Sequence, residues 1–407
     1  MKYKFKALIA SSIAALALTA CGGGSDDGRV KVEFFQNKSE AVNTYNELIA
    51  KFEEEYPEIN IEQNHVPESE TVLRSRLTQN DIPQVMAING NATYGELAAA
   101  GVLHDFTGDA KIDQVQPAYV EMLNQLAGKE TPNGIPFAAN ANTVLYNKDK
   151  FEELGLEIPT TWDEFVAVAE AIEAAGEVPF YHTYGDAWTA MVPFNALAAN
   201  LQGDDFIEKR NEGTVTFNER YKEAAENLLT LLSFANNDVF GAGYDQGNTA
   251  FANGDVVMYI QGNWAVGSIL DANPDANIGA FALPATNDVS KIRLVSGVDT
   301  VLAISENAKN KEEAQLFIEF LLRPENAQFY IDQEKQFSAV EGVIQEDPTV
   351  ADLAKHFEEG SITSFPDHYY PTGMQVENLV QEFLINKDVA QFLNILDSEW
   401  DKVKGRN

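Results

Sequence analysis

The sequence predicts an α/β fold. From Arg29 onward, short apolar runs alternate with longer amphipathic stretches. The runs carry the two-residue period of strands, and the stretches repeat apolar residues every three or four positions, as helices do. Strand–helix–strand repetition of this kind builds a sheet with parallel neighbours, because each helix carries the chain back to begin the next strand.

The elements follow in order. Residues 30–35 read as a strand with Val30, Val32 and Phe34 on one face. Ser39 is placed to cap the next helix, where Val42, Tyr45, Leu48, Ile49 and Phe52 share a face and Pro57 stops the run. Residues 59–66 form a second strand, 72–78 a helix, 81–88 a third strand and 94–100 a short helix. The middle is more helical, with helices expected over 149–154, 162–175, 188–201, 219–234 and 262–272. Thr160 and Thr161 open the second of these. Residues 256–260, 278–283 and 295–304 read as strands. The helix over 310–322 is stopped by Pro324, and helices near 374–385 and 388–401 end the chain.

The first twenty residues read as an export signal rather than as fold. Lys2, Lys4 and Lys6 precede an uncharged apolar run over residues 7–18. The run is shorter than the ~20 residues a membrane-spanning helix needs, and small residues follow it, the layout of a secretory signal. Leu18-Thr19-Ala20-Cys21 resembles the bacterial lipobox. That resemblance implies cleavage before Cys21, a lipid on Cys21, and a tether over 21–29 whose glycines make it flexible. Ordinary secretion with cleavage nearby is the competing reading.

Composition fits a folded body outside the cell. The chain has 407 residues, 24 Phe, 14 Tyr and 4 Trp, and a formal charge of −35. Removing residues 1–20 takes away three lysines and no acid. A surface this acidic repels phosphate backbones, which disfavours nucleic acid as a partner. Cys21 is the sole cysteine, so no disulfide staples the fold. No metal or cofactor is expected. The histidines at 65, 104, 182, 356 and 368 are scattered, and no phosphate-binding glycine loop or Gly-x-Ser-x-Gly elbow occurs. Carboxylates are abundant, yet sequence does not measure the separations of about 5–9 Å that glycoside hydrolysis requires.

The stretch Gly134-Ile-Pro-Phe-Ala-Ala-Asn-Ala-Asn-Thr-Val-Leu-Tyr-Asn-Lys148 leads to Phe151-Glu-Glu-Leu-Gly155 and Pro159-Thr-Thr-Trp-Asp-Glu-Phe165. Phe251-Ala-Asn-Gly254 with Met258, Gln261-Gly-Asn-Trp264, Phe281-Ala-Leu-Pro284 and Ala314-Gln-Leu-Phe-Ile-Glu-Phe follow. As a set these resemble family 1 extracellular solute-binding proteins, the sugar receptors of ABC importers. The resemblance implies a two-lobed, periplasmic-binding-protein-like fold whose lobes close over a ligand in the cleft between them. It places the crossings near Pro136 to Asn140, Leu283 to Ala285 and Lys335 to Ser338. One lobe would then be 30–139 plus 284–335, the other 140–283 plus 336–407. It further implies a non-catalytic, monomeric receptor on the outer face of the cell membrane, passing an oligosaccharide to ABC permease subunits.

Sugars present apolar ring faces and many hydroxyls, so their receptors need aromatic platforms and short charge-assisted hydrogen bonds. Candidates sit on loops at strand ends. Asn37 and Lys38 follow the first strand, with an ordinary turn as the alternative. Asn89 follows the third strand beside Gly90. Trp188 ends the polar and aromatic loop Tyr181-His-Thr-Tyr-Gly-Asp-Ala-Trp188, and Trp264 is a second platform; core packing is the alternative for both. Asp299 interrupts an apolar strand and needs a partner, either sugar hydroxyls or a neighbouring lysine. Ser364-Phe-Pro-Asp-His-Tyr-Tyr370 resembles the Phe-x-Asp-His loop of the branch that binds raffinose- and isomaltose-type α-1,6-linked oligosaccharides. That implies stacking by Phe365 and hydrogen bonds from Asp367 and His368. Two other readings stay open: a lipoprotein that binds another small solute, and a cell-surface glycoside hydrolase.

Overall fold

A computed structural model describes residues 28–66, 69–371 and 373–405. The signal segment 1–20, Cys21 and most of the tether lie outside the described residues. Nine strands form one mixed sheet: β1 (Val30–Gln36), β2 (Ile59–His65), β3 (Val85–Ile88), β4 (Ile135–Asn147), β5 (Met258–Gly262), β6 (Ile278–Phe281), β7 (Leu294–Ile304), β8 (Phe337–Ser338) and β9 (Ile362–Thr363). The order is β2-β1-β3-β7-β4-β5, with β6 and β8 also on β4 and β9 on β7.

The parallel sheet expected from the alternation holds for the first three strands, where β1 pairs in parallel with β2 and β3. The β3–β7 pair and every pair made by β4 are antiparallel. Chain direction explains the difference. The chain leaves one body along the 13 residues of β4 and returns along the 11 residues of β7, so the two must run opposite ways.

Burial shows two bodies. In the first, the sheet is covered on both faces, and alternate residues feed alternate cores. Val32, Phe34, Val85, Ala87, Leu302 and Ile304 face one core, with the aromatic side chains of Tyr45, Phe52 and Phe317. Phe35, Met86, Ile88, Val301 and Ala303 face the other. The second body has one larger core, built from residues 141–285, Leu294, Val295 and residues 350–403.

Two of the handovers between bodies, on β4 and β7, meet at one register pair. On β4, Ala139 belongs to the first body and Ala141 to the second; on β7, Val295 belongs to the second and Val298 to the first. Asn140 and Gly297, directly paired, lie between. A bulge over Pro136–Ala139 sits just before this point, where β8 joins β4; bulges raise local twist and re-aim a strand. Leu283 and Ala285, where a crossing was expected, pack in the larger core, and β7 contributes side chains to both cores. After β8 the chain stays with the first body through Val340 and Val343 and joins the larger core at Val350.

Local chemistry explains several helix ends. Thr161 and Glu164 form a reciprocal capping box at helix Trp162–Ala174. Ser39 does not cap helix Val42–Glu55; its hydroxyl bonds the Glu40 carboxylate. The helix expected over 219–234 is broken at Tyr221, whose buried hydroxyl is tied to Tyr370 at 2.6 Å and to Gln202. Helix Pro117–Ala127 was not anticipated, although Pro117 opens it and left-handed Gly128 closes it, both local signals. Among the described residues no helix is long and apolar enough to cross a membrane.

Candidate ligand-binding cleft

The ends of β1 and β3 deliver two loops to the middle of β7. Gln36 is fully buried; its side-chain amide donates to Gln63 and its carbonyl oxygen accepts the Lys38 backbone N–H at 2.5 Å, which shapes the turn through Asn37. The Gly90 N–H donates to the Val298 carbonyl at 3.0 Å. That approach requires glycine, since a Cβ would fall 2.8 Å from Val298 Cβ. Asn89 is thereby held beside β7.

Asp299 has its partners within the protein. Lys38 Nζ donates to Oδ1 at 2.6 Å, Asn140 Nδ2 donates to the same oxygen at 2.8 Å, and the Thr300 hydroxyl reaches Oδ2 at 3.3 Å. The neighbouring lysine is the partner that makes this buried charge tolerable. Two buried acceptors, Asn37 Oδ1 and Asn140 Oδ1, have no hydrogen-bond partner among the described residues.

The second body brings the loop around Pro366–Tyr369 against the same stretch of β7. Phe365 and His368 stack with ring centroids 4.9 Å apart and planes 22° from parallel. Gly297 makes room for them, because a Cβ there would lie 3.2 Å from Phe365 Cδ2 and 3.4 Å from His368 Cε1. The Asp367 N–H donates to Asn195 Oδ1 at 3.4 Å. Among the described residues Asp367 Oδ1 and His368 Nδ1 have no hydrogen-bond partner. Burial pushes the Asp367 carboxyl up to about 6, opposed by the Asn195 bond and reinforced by the charge of Glu70. Burial pushes the His368 imidazole down to about 4, so it is neutral at pH 7. A carboxylate, a neutral imidazole and amide oxygens together offer acceptors for several hydroxyls.

Trp188 and Trp264 differ. Trp188 is 44% exposed and leans on Tyr244 at 5.1 Å, leaving ring surface open. It shares a face of helix Ala187–Leu201 with Asn195, two turns and roughly 10 Å further along. Trp264 is 9% exposed, packs in the larger core and donates its indole N–H to Gln261 at 3.3 Å. The structure thus gathers Asn37, Lys38, Asn89, Asp299, Phe365, Asp367 and His368 around the handover point. Trp188 stands at the far end of a helix that reaches it, and Trp264 is set into the packing nearby.

Three residues of this region escaped the sequence reading. Glu70 accepts from Asn91 Nδ2 at 2.5 Å and from the Thr93 hydroxyl at 3.0 Å, and its charge acts across the cleft on Asp367 and His368. Tyr244 is a buried phenol of the second body that feels the Glu40 charge from the first. Asn195 is buried in a helix that reads as core. No local signal distinguishes them, since each matters only through contacts distant in sequence. Among the described residues no cluster of three His, Cys, Asp or Glu could hold a metal ion.

Comparison with known proteins agrees with this architecture. Residues 37–328 match the family described as bacterial extracellular solute-binding protein. The chain is 30% identical over 348 residues to the multiple sugar-binding protein of Streptococcus mutans, covering 81% of each. RafE in complex with raffinose superposes with a TM-score of 0.81 at 29% identity, over 92% of this chain and 100% of that one. The apo form of RafE from Streptococcus pneumoniae gives 0.73 at the same identity, over 93% and 98%. The described arrangement is thus nearer to the sugar-bound form than to the apo form. The chain belongs to the bacterial extracellular solute-binding proteins, family 1, a two-lobed α/β fold, and its likeness runs to the branch that contains RafE.

Proposed function

We propose that this protein is a lipid-anchored extracellular receptor that captures an oligosaccharide and delivers it to the permease of an ABC transporter. The observation that carries the reading is the junction of the two bodies. There a Phe365–His368 stack rests on Gly297, with unpartnered acceptors on Asn37, Asn140, Asp367 and His368 beside it. An apolar ring face with hydroxyls at its rim matches that surface. The relatives support it: one is named for binding multiple sugars and another was solved with raffinose.

The lobes in this reading are 30–139 with 297–343, and 140–296 with 344–407, closing about the Asn140–Gly297 pair as hinge proteins do. Phe365 stacks on a sugar of raffinose or isomaltose type, Asp367 and His368 bond its hydroxyls, Lys38 and Asn37 reach the same ring, and Trp188 covers a further unit. Asn89 and Trp264 complete the set. The protein acts as a monomer, without cofactor or catalysis, and the Cys21 lipid with its tether keeps it beside the permease, raising its effective concentration there.

Titration calorimetry with raffinose, isomaltotriose, a fructooligosaccharide and maltotriose tests this. Binding of the first two is expected; their failure with success of the others removes the α-1,6 assignment, and failure of all four removes the sugar. Sustained release of new reducing ends would replace the receptor with a hydrolase. Cys21→Ala is expected to free the protein from the membrane fraction.

A further inference from the structure

Glu334 is the last residue of helix Pro324–Glu334, just before the short connection into β8. It is 6% exposed. Its one described hydrogen bond is from the Thr44 hydroxyl, at 2.5 Å, and among the described residues no cation lies within ion-pair distance of it. The ammonium groups nearby are committed elsewhere: Lys38 to Asp299 at 2.6 Å, Lys335 to Asp347 at 2.8 Å. The neighbouring charges that raise the Glu334 carboxyl belong to three carboxylates. Glu40 comes from the loop before helix Val42–Glu55, Asp299 from β7, and Asp271 from helix Ala265–Ala272 of the second body, which packs against helix Pro324–Glu334. Tyr45 and Tyr330 add neutral phenols.

The connection itself is clamped by the second body. Asn263 Nδ2 donates to the Lys335 carbonyl at 2.6 Å and Asn263 Oδ1 accepts from Ala141 N–H of β4 at 2.6 Å. Helix Ala265–Ala272 of the second body thus packs beside the Glu334 end of helix Pro324–Glu334, a Cβ on its Gly267 falling 3.2 Å from the Gln333 carbonyl oxygen, and the Glu40 charge is felt by Tyr244 of that body. In the receptor reading above, opening the hinge draws Asn263 and helix Ala265–Ala272 away from this pocket, and closing it removes water from a carboxylate with no counter-ion among the described residues.

We propose that Glu334 is a proton-binding site coupled to closure: the lobes close over ligand with uptake of a proton at Glu334. The inference rests on the receptor reading above. Burial, ahead of the neighbouring charges, raises this carboxyl to about 7, while an exposed glutamate titrates near 4.3. Between those values the closed form holds more protons than the open one. Affinity therefore falls as pH rises through this window and levels above about 7.

The test is calorimetry with raffinose from pH 5.5 to 7.5 on the full-length protein and on Glu334→Gln, which keeps the Thr44 bond and never ionises. The ratio of wild-type to variant affinity is expected to fall roughly tenfold or more over that range; taking the ratio cancels other titrating groups, Asp367 included. A ratio constant with pH overturns the proposal. If no sugar produces heat, the sugar reading fails separately, and small-angle scattering on ligand-free protein decides this one. Wild type should be more compact at pH 5.5 than at 7.5 and Glu334→Gln equally compact at both; a pH response unchanged by the substitution, or absent from both proteins, overturns it.

Discussion

Removing the Lys38 ammonium should destabilise the protein more than removing the carboxylate it pairs with. Asp299 is 2% exposed in a strand where every residue is buried, while the Lys38 side chain is 14% exposed at a loop. In Lys38→Ala, Asp299 keeps only the Asn140 amide and the Thr300 hydroxyl. A buried charge that loses its counter-ion costs about 3–5 kcal/mol. In Asp299→Ala the lysine stem can turn its ammonium to water or toward Glu40, whose carboxyl already feels that charge. The cost then falls to roughly 1.5–3 kcal/mol, that of the charged hydrogen bonds lost. The double variant leaves no charge stranded, so it should be more stable than the two single losses added together, by about 1–3 kcal/mol. Urea unfolding of the three variants, followed by tryptophan fluorescence, gives all the terms. Additivity within about 0.5 kcal/mol, or a larger loss from Asp299→Ala than from Lys38→Ala, would refute the reasoning.

Other outcomes follow from the same geometry. Gly297→Val places a branched side chain where even a Cβ is tight against Phe365 and His368. The displacement should cost about 1–3 kcal/mol and weaken raffinose binding roughly 10- to 100-fold by calorimetry; unchanged affinity would detach that stack from the site. Trp188→Ala should leave the melting temperature nearly unchanged, because the ring is 44% exposed, yet lower oligosaccharide affinity roughly tenfold. Asp367→Asn should weaken sugar binding by about 1.5–3 kcal/mol, the worth of a charged hydrogen bond. Without ligand the same change should act in the opposite direction. The folded-state carboxyl is raised to about 6, so the native protein binds the extra proton and loses stability as pH rises from about 4 to about 6. Asparagine removes that loss, and thermal melts of both proteins across that range would reveal it.

Much of the molecule was legible without coordinates. The alternation of strand and helix, the Thr161 cap and the Phe-x-Asp-His segment are local patterns, and residues close in the chain read them out together. Even the need of Asp299 for a partner could be stated from one charged residue in an apolar run. The partner could not be named. Lys38 lies 261 positions away, and of two chemistries that would satisfy the charge, a lysine or a sugar, only the pairing of β7 beside the β1 loop selects the first.

What the sequence by itself determined is the set of elements, the family they belong to and the chemical character of the candidate loops, because propensity, periodicity and motif are properties of short segments. Only the tertiary structure decided that Asn140 and Gly297 pair where β4 and β7 change from one core to the other, and which way the two strands run. It alone also left Glu334 buried, bonded to Thr44 across 290 residues and with no cation in ion-pair range among the described residues. Burial and register are sums over contacts from the whole chain, and no short stretch of sequence contains them.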